Sequence, residues 1–547
     1  MFLSGEGAGV RKVYRAAGVA TTPDFPIFTP PMRILFFPLL CLLLSTCTKL
    51  DVEPRGINTA EQFFADDSSY RSYLARLYAG LAVTGQQGPA GDPDLLNADE
   101  GFTNYLRQYW QLQVLTTEEA VIGWTDEGLP DLHAHRWTSN NQFVSTMYSR
   151  IYYQVALVNE FLRQTHRERL DQREVSDRVR AEIPRYRAEA RFLRALSYYH
   201  GLELFGRLPL YLEDSPAGSE LPQVTRVRLF DFVAAELHDL EGFLPAAGQA
   251  EYGRVDQGAV WALQSRLFLN SEVFTGQERF EDCLDACRRL LNAGVYSLAE
   301  RYHHLFRTDN HELAEIIFAI PFDGERTQTW GGMTYLVHAA LGGRMVPADY
   351  GVEGAWFGLR TTPDLVRSFT DQGFTDRRVR FFTDGQQLEI DRIADFRQGY
   401  ALPKYSNLDR NGRAGSNETF PDTDFPLFRL GETYLNFAEA ALRSGDAGAL
   451  SEALPLLNAL RERAGGPLLT TGELTLEFLL AERGRELHWE ALRRSDLIRF
   501  ERFSTGAVWA WKGGVREGLE TEVYRNLFPI PQAELRANPN LNQNPGY

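Results

Sequence analysis

The feature that most limits what this chain can become is a helical spacing of apolar residues that returns along its length. In NNQFVSTMYSRIYYQVALVNEFLRQTH, residues 140–166, the positions Phe143, Met147, Ile151, Val155, Val158 and Leu162 recur every three or four residues. That spacing places them on one stripe of an α-helix. Residues 185–205, RYRAEARFLRALSYYHGLELF, repeat the pattern with Phe192, Ala195, Leu196, Tyr199 and Leu202, and Gly206 follows as a stop. The same spacing predicts helices near 59–84, 226–243, 256–271, 277–293, 427–444, 449–464 and 474–500. They come in pairs. FRLGETYLNFAEAALRSGDAGALSEALPLLNALRERAG, residues 428–465, reads as two amphipathic helices around a Gly-Asp-Ala-Gly turn, close to the period of a tetratricopeptide repeat. In the first, Tyr434 is set against Ala438 and Ala441, whose small size allows close approach; Pro455 is awkward in the second. The expected fold is therefore mainly α, a tetratricopeptide-like superhelix of helical pairs.

Two regions break the rhythm. One is 86–138, rich in Gly, Asp, Pro and aromatics; the other is 303–425, which mixes strand-like runs such as Glu315–Phe322 with Gly-rich loops. Loops of such length are usually functional, so a loop-rich, irregular ligand-binding face is expected there. A chain of 547 residues would usually divide into more than one domain. The expected division is a leader over 1–46, a helical region over 47–250, and a second region over 251–547 that includes 303–425.

The leader is read from RILFFPLLCLLLSTCTKLDVEP, Arg33 to Pro54. Ile34–Leu44 carries eleven residues without charge, too few for a bilayer span of roughly 20 but suited to a secretory h-region of about 7–15. Met32 and Arg33 supply a start and a positive n-region, so 1–31 reads as an over-called start. Leu44-Ser45-Thr46-Cys47 resembles the lipobox of bacterial lipoproteins, with Thr46 where Gly, Ala or Ser is usual. Cys47 is then the expected lipidated residue; an ordinary signal peptide is the alternative. Asp51 and Glu53 close behind it resemble a surface-export signal. The net charge is −16, and loss of 1–46 makes the remainder more acidic. That balance argues against nucleic acid or an anionic membrane surface as partner. Hydrophobic residues at 44% and aromatics at 12% argue against disorder. Cys283 and Cys287 sit one helical turn apart and read as small core-facing residues.

Several segments together resemble the RagB/SusD family of outer-membrane nutrient-binding lipoproteins from Bacteroidetes. They are CTKLDVEP after the leader, AEARFLRALSYYHGLELFGRLPLY (188–211), FRLGETYLNFAEAAL (428–442), AERGRELHWEALRRSDLIRF (481–500) and NLFPIPQAELRANPNLNQNPGY (526–547). YLRQYWQLQVLTTEEAVIGWTDEGLPDLHAHRWTSNN (105–141) looks closer to the starch-binding members. The resemblance implies a lid over a SusC-like TonB-dependent transporter, capturing oligosaccharides such as malto-oligosaccharides at the cell surface.

Sugars present apolar C–H faces, so a glycan site needs flat rings to stack on and a few polar groups to orient them. Trp124, Trp330, Tyr335 and Trp356 lie in the two loop-rich regions, and Arg107, Asp126 and Glu127 can supply hydrogen bonds. The family resemblance favours Arg107, Trp124 and Trp356 as contacts. Trp137, Trp261 and Trp489 lie in or beside helical patterns and are expected in the core.

Other constellations tempt. Glu482, Glu486 and Glu490 stand four apart like glycosidase carboxylates, but share one helix face with Arg483, Arg493 and Arg494 nearby. A structural ion-pair network is the expected reading. HELAE at 311–315 lacks the second His of a zinc-protease helix, and His133 and His135 lack acidic or thiol partners at ligand spacing. Asn407, Asp409, Asn411, Gly412 and Glu418 match a calcium loop except at the first position, a weak candidate. No cofactor and no catalytic residue is expected. A secreted glycoside hydrolase and a protein-binding helical scaffold are the rival readings.

Overall fold

The computed structural model describes residues 59–547 apart from 90–92, 96–98 and 217. The leader, Cys47, Asp51 and Glu53 lie outside the described residues. Residues 60–547 form one compact unit. Among the described residues, no helix is long and apolar enough to cross a membrane.

The helices begin where the sequence supplies caps. Asn141 accepts from the Phe143 and Val144 N–H groups ahead of Gln142–Gln164. Asp256 does the same for Gln257–Leu269, and Asp446 for Ala447–Ala464. Each cap contributes about 1 kcal/mol by satisfying an orphan donor. Leu430–Ser444 ends on Gly445 at φ 72°, a left-handed conformation that only glycine adopts cheaply, and this turns the chain into the second helix of its pair.

Each long helix then packs on the next. Gln142–Gln164 lies on Asp177–Leu204, and that helix on Arg226–Leu240; Gln257–Leu269 lies on Phe280–Asn292, which lies on Leu430–Ser444, and this on Ala447–Ala464. The predicted stripes face inward: Phe143, Met147, Ile151, Val155, Val158 and Leu162 are buried, as are Phe192, Ala195, Leu196, Tyr199 and Leu202. Ala447–Ala464 runs through Pro455 without a break. Cys283 and Cys287 are buried free thiols. The fold is mainly α and built from helical pairs.

Three departures are informative. Within 86–138, Tyr105–Val114 is a helix whose residues are all buried. It packs on Ser68–Ala82, Gln142–Gln164, Gly332–His338 and Arg493–Arg499, so its glutamines and Arg107 are buried along with its apolar side chains. The predicted helix over 427–444 starts as a strand, Phe425–Arg429, paired antiparallel with Ile316–Ile320. That partner is the strand-like run expected at Glu315–Phe322. Finally, the helix expected over 474–500 divides into Leu476–Leu487 and Arg493–Arg499. Between them Trp489 and Ala491 both stand at φ 61°. Buried Trp489 stabilises the break: its N–H donates to Glu119 Oε2 at 2.9 Å, and its carbonyl accepts from Trp110 Nε1 and Tyr405 Oη, each at 2.8 Å.

The glutamates at 482, 486 and 490 form an ion-pair network, but not the expected one. All are buried, and Glu490 stands beyond the end of the helix. Their partners come from distant segments. Glu486 meets Arg378 at 3.2 Å, Arg429 at 2.7 Å and Arg463 at 2.5 Å. Glu482 meets Arg378 at 2.8 Å, and Glu490 meets Arg429 at 2.6 Å and Lys404 at 2.7 Å. The arginines expected to serve are engaged elsewhere: Arg483 with Asp496, Arg493 with Glu118, and Arg494 with the Asn526 carbonyl. A Cβ at Gly431 would collide with Arg429 Nη1 and approach Glu486, so glycine is required where the Leu430 helix passes this hub.

Candidate functional site

Two short strands bring the loop-borne tryptophans together. Val121–Ile122 pairs antiparallel with Leu359–Arg360, Ile122 opposite Leu359, and the Gly123 N–H donates to the Gly358 carbonyl at 2.9 Å. Trp124 follows one strand and Trp356 precedes the other, so register alone makes them neighbours. Their ring centroids are 6.3 Å apart, and Trp124 Nε1 donates to the Trp356 carbonyl at 3.1 Å. Gly358 is small for a reason. A Cβ there would press on the Trp124 indole at 2.9 Å.

Trp330 extends the row. Its centroid lies 6.2 Å from that of Trp356 and 5.1 Å from Phe420. The Trp330 loop is held by Glu100, which accepts from the Trp330 N–H and from Thr329 Oγ1, each at 2.8 Å. Trp330 is 40% exposed, while Trp124 and Trp356 are half-buried. Successive indole planes are inclined by 42° and 47°, so the row is curved rather than flat. Behind it, His338 stacks on Trp356 at 4.8 Å, its two ring nitrogens each 2.8 Å from a carbonyl, of Gly354 and of Thr419.

The other expected contacts divide. Tyr335 is fully buried, edge-on beneath Trp124 at 5.8 Å, with its hydroxyl 3.3 Å from Gln111 Nε2. It supports the row from below rather than presenting a ring to solvent, because the Gly332–His338 helix that carries it packs against Tyr105–Val114. Arg107 is also buried, with its guanidinium 4.2 Å from the Tyr335 centroid, 4.6 Å from Phe102 and 5.7 Å from Trp124. Its Nε and Nη2 have no hydrogen-bond partner. Burial lowers its pKa against the opposing pull of Tyr335, Asp99, Asp126 and Glu100, but an arginine stays charged at neutral pH. The cation therefore supports Trp124 of the row together with Tyr335 and Phe102, each ring contact worth about 0.5–2 kcal/mol. Asp126 is half-buried and Glu127 exposed in the turn after Trp124. Asp126 acts electrostatically on both Arg107 and Tyr335; the ring contacts among the described residues do not involve Glu127.

Phe420 and His338 were not legible as parts of this surface. Phe420 lies just beyond the loop weighed as a calcium site, and that loop is closed by its own hydrogen bonds. Buried Asn407 donates to the Gly351 and Asn417 carbonyls, each at 2.8 Å, and accepts from the Asp422 N–H at 3.0 Å. Asp409 accepts from the Asn411 and Arg413 N–H groups, each at 2.8 Å. Of the would-be ligands Asn407, Asp409, Asn411 and Glu418, the side chains of Asn407 and Asp409 are thus committed to the turn, and among the described residues no group of acidic, His or Cys side chains could hold a metal ion. His133 and His135 are buried; His135 lies 2.8 Å from the Thr116 carbonyl and 3.1 Å from Thr521 Oγ1. Trp137 and Trp489 are core residues as expected, whereas Trp261 is half-buried.

Comparison with known proteins places this geometry. The sequence profile described as the SusD family matches residues 378–547. The starch-binding protein SusD of Bacteroides thetaiotaomicron is 32% identical, over 95% of this chain and 100% of its own length. SusD-like protein P2 of Formosa agariphila is 24% identical, over 93% of this chain and 99% of its own. Among solved structures, surface glycan-binding protein A from Bacteroides uniformis is similar with a TM-score of 0.69 at 23% identity, covering 88% of this chain and 99% of that one. The protein of that name from Bacteroides thetaiotaomicron, in complex with laminarihexaose, gives 0.67 at 19% identity, over 87% of this chain and 99% of that one. With such identity sustained over nearly the whole of both sequences, the chain belongs to the SusD family.

Proposed function

We propose that the protein binds glycan without cleaving it, anchored by lipid at Cys47 to the outer membrane, and delivers oligosaccharide to a SusC-like TonB-dependent transporter for nutrient uptake. The observation that carries the binding reading is the contiguous row Trp124–Trp356–Trp330, backed by buried Phe420. Aromatic faces open to solvent stack on sugar C–H faces, and a surface row takes the middle of a long chain where a closed pocket takes an end. The tilt between successive indoles favours a glycan that coils, such as an α-linked glucan, over a flat extended one. Similarity to a starch-binding protein along the full length supports that choice, and a structural neighbour solved with laminarihexaose supports the wider class.

The test is calorimetric titration of the purified protein with maltohexaose and with cellohexaose. Maltohexaose is expected to bind, with affinity reduced by Trp330→Ala, while cellohexaose binds more weakly. New reducing ends during the titration would overturn the binding-only reading in favour of a hydrolase. Failure of every oligosaccharide to bind would favour the helical scaffold.

A further inference from the structure

A second recess lies away from the aromatic row. Two adjoining cavities, of about 670 and about 290 Å³, share His303, Arg307 and Arg380 as lining residues. Their floor uses cations that already have partners: Arg463 with Glu315 and Glu486, Arg378 with Asp376, Glu482 and Glu486, and Lys404 with Glu490. The walls differ. Arg301, Arg307, Arg377 and Arg380 make no ion pair among the described residues, and Arg307 is bound only through Nη1 to Ser406 Oγ at 2.8 Å.

A larger cavity provides the control. It has a volume of about 1090 Å³ and is also rich in arginine. There Arg180 meets Asp171 at 2.5 Å, Arg191 meets Glu236 at 2.6 Å, and Arg194 meets Glu213 at 2.5 Å. In that cavity only Arg187 lacks an ion pair among the described residues, and its guanidinium donates to the Leu162 carbonyl and Thr165 Oγ1; around Arg307 four arginines lack one. Glu300, Asp376 and Asp409 also line the larger of the two adjoining cavities and Asp349 the smaller, but cationic side chains outnumber them in both. In a chain of net charge −16, the unpaired guanidiniums hold positive potential there. Burial and the Arg380 charge lower the Arg307 pKa and outweigh the opposing pull of Asp309, Tyr350 and Asp409. The smaller cavity adds half-buried Phe381, Phe382 and Tyr350 to the lining. Buried in the wall, His303 Nε2 has no hydrogen-bond partner.

We propose that this recess binds an oxyanion carried on a saccharide, such as the carboxylate of a uronic acid. Forked guanidiniums match a planar carboxylate, and the phenyl rings offer an apolar face to the sugar ring. The site is independent of the aromatic row, so the two can fail separately.

The test is calorimetry with trigalacturonate, inorganic sulfate and maltohexaose on the intact protein, the Arg380→Gln variant and the Arg307→Gln/Arg380→Gln double variant, with thermal melts to confirm folding. Trigalacturonate is expected to bind, more weakly as sodium chloride rises, and to lose at least about tenfold in affinity in the double variant. Trp330→Ala should leave that binding intact, and the arginine variants should leave maltohexaose binding intact. Sulfate bound on the same arginines while trigalacturonate is refused would overturn the saccharide and leave a free-anion site. If neither anion binds, or if binding survives in a folded double variant, the proposal fails. Arg380 is exposed, so its single variant keeps the test valid should Arg307 prove necessary for folding.

Discussion

The aromatic row and the buried carboxylate hub are both clusters of chemically expressive side chains, and they behave in opposite ways. In the hub, Glu482, Glu486 and Glu490 lie fully inside the protein, with every carboxylate met by arginine or lysine. In the row, Trp330 is 40% exposed and Trp124 and Trp356 only half-buried, so part of each indole's surface is left without a protein partner. A satisfied cluster is architecture. An unspent one is a surface for something else. The carboxylates look more like chemistry on paper, but a glycosidase pair must flank a bound sugar, and these flank only one another's arginines.

Glu486→Ala tests that contrast most severely. Removing one carboxylate leaves Arg378, Arg429 and Arg463 facing each other in the interior. Truncation of one partner in a buried ion pair costs about 3–5 kcal/mol, so denaturant unfolding should show a loss of that order. A loss below ~1 kcal/mol would mean that the hub is not the staple described here.

Trp356→Ala combined with Trp330→Ala addresses the other region. Truncating central aromatic contacts typically costs about 1–2 kcal/mol each, so titration should record about a thirtyfold or greater loss of oligosaccharide affinity with the fold retained. Trp330→Ala alone should change unfolding stability by less than ~1 kcal/mol, since surface substitutions rarely do more. If Trp330→Ala destabilised the protein while affinity held, the row would be architecture too.

A pH series separates two buried carboxyls. Burial raises Glu119 to about 8, against the favourable bond from the Trp489 N–H. Its folded value exceeds its unfolded one, so the folded state holds the extra proton and stability is lost as pH rises from about 4.5 towards 8. Glu486 goes the other way. Burial opposes ionisation, but Arg463, Arg429 and Arg378 outweigh it and hold the carboxyl at about 2. Its contribution is present above about 4.5 and lost as pH falls towards 2. Glu119→Gln should therefore flatten the decline in melting temperature between pH 5 and 8 without altering the acid limb. The smallest effect expected is that of calcium: millimolar calcium or a chelator should leave the melting temperature unchanged, because Asn407 and Asp409 are committed to their own turn.

Legibility followed the same division. The helical pairs could be read because a half-buried helix must alternate its surfaces with a period of 3.6. Phe143 to Leu162 is such a stripe, and it is buried. Tyr105–Val114 does keep its apolar residues on one side, but it is short and lies in a region rich in Gly, Asp and Pro, and only the tertiary structure shows Arg107 and its three glutamines buried as well. The break at Trp489 was invisible because positive φ in a non-glycine residue leaves no compositional mark; it is held by Glu119, Trp110 and Tyr405, far away in sequence.

At the site, the sequence by itself determined which residues could stack on a sugar: Trp124, Trp330 and Trp356, set among glycines in long loops. Only the tertiary structure decided that they share one surface, that Tyr335 and Arg107 lie beneath it, and that buried Phe420 packs against Trp330. The reason is the range of the forces involved. Helix periodicity and capping act over a few residues and are written locally, whereas adjacency across more than two hundred residues depends on a two-residue strand pairing, Val121–Ile122 with Leu359–Arg360, that no local pattern encodes.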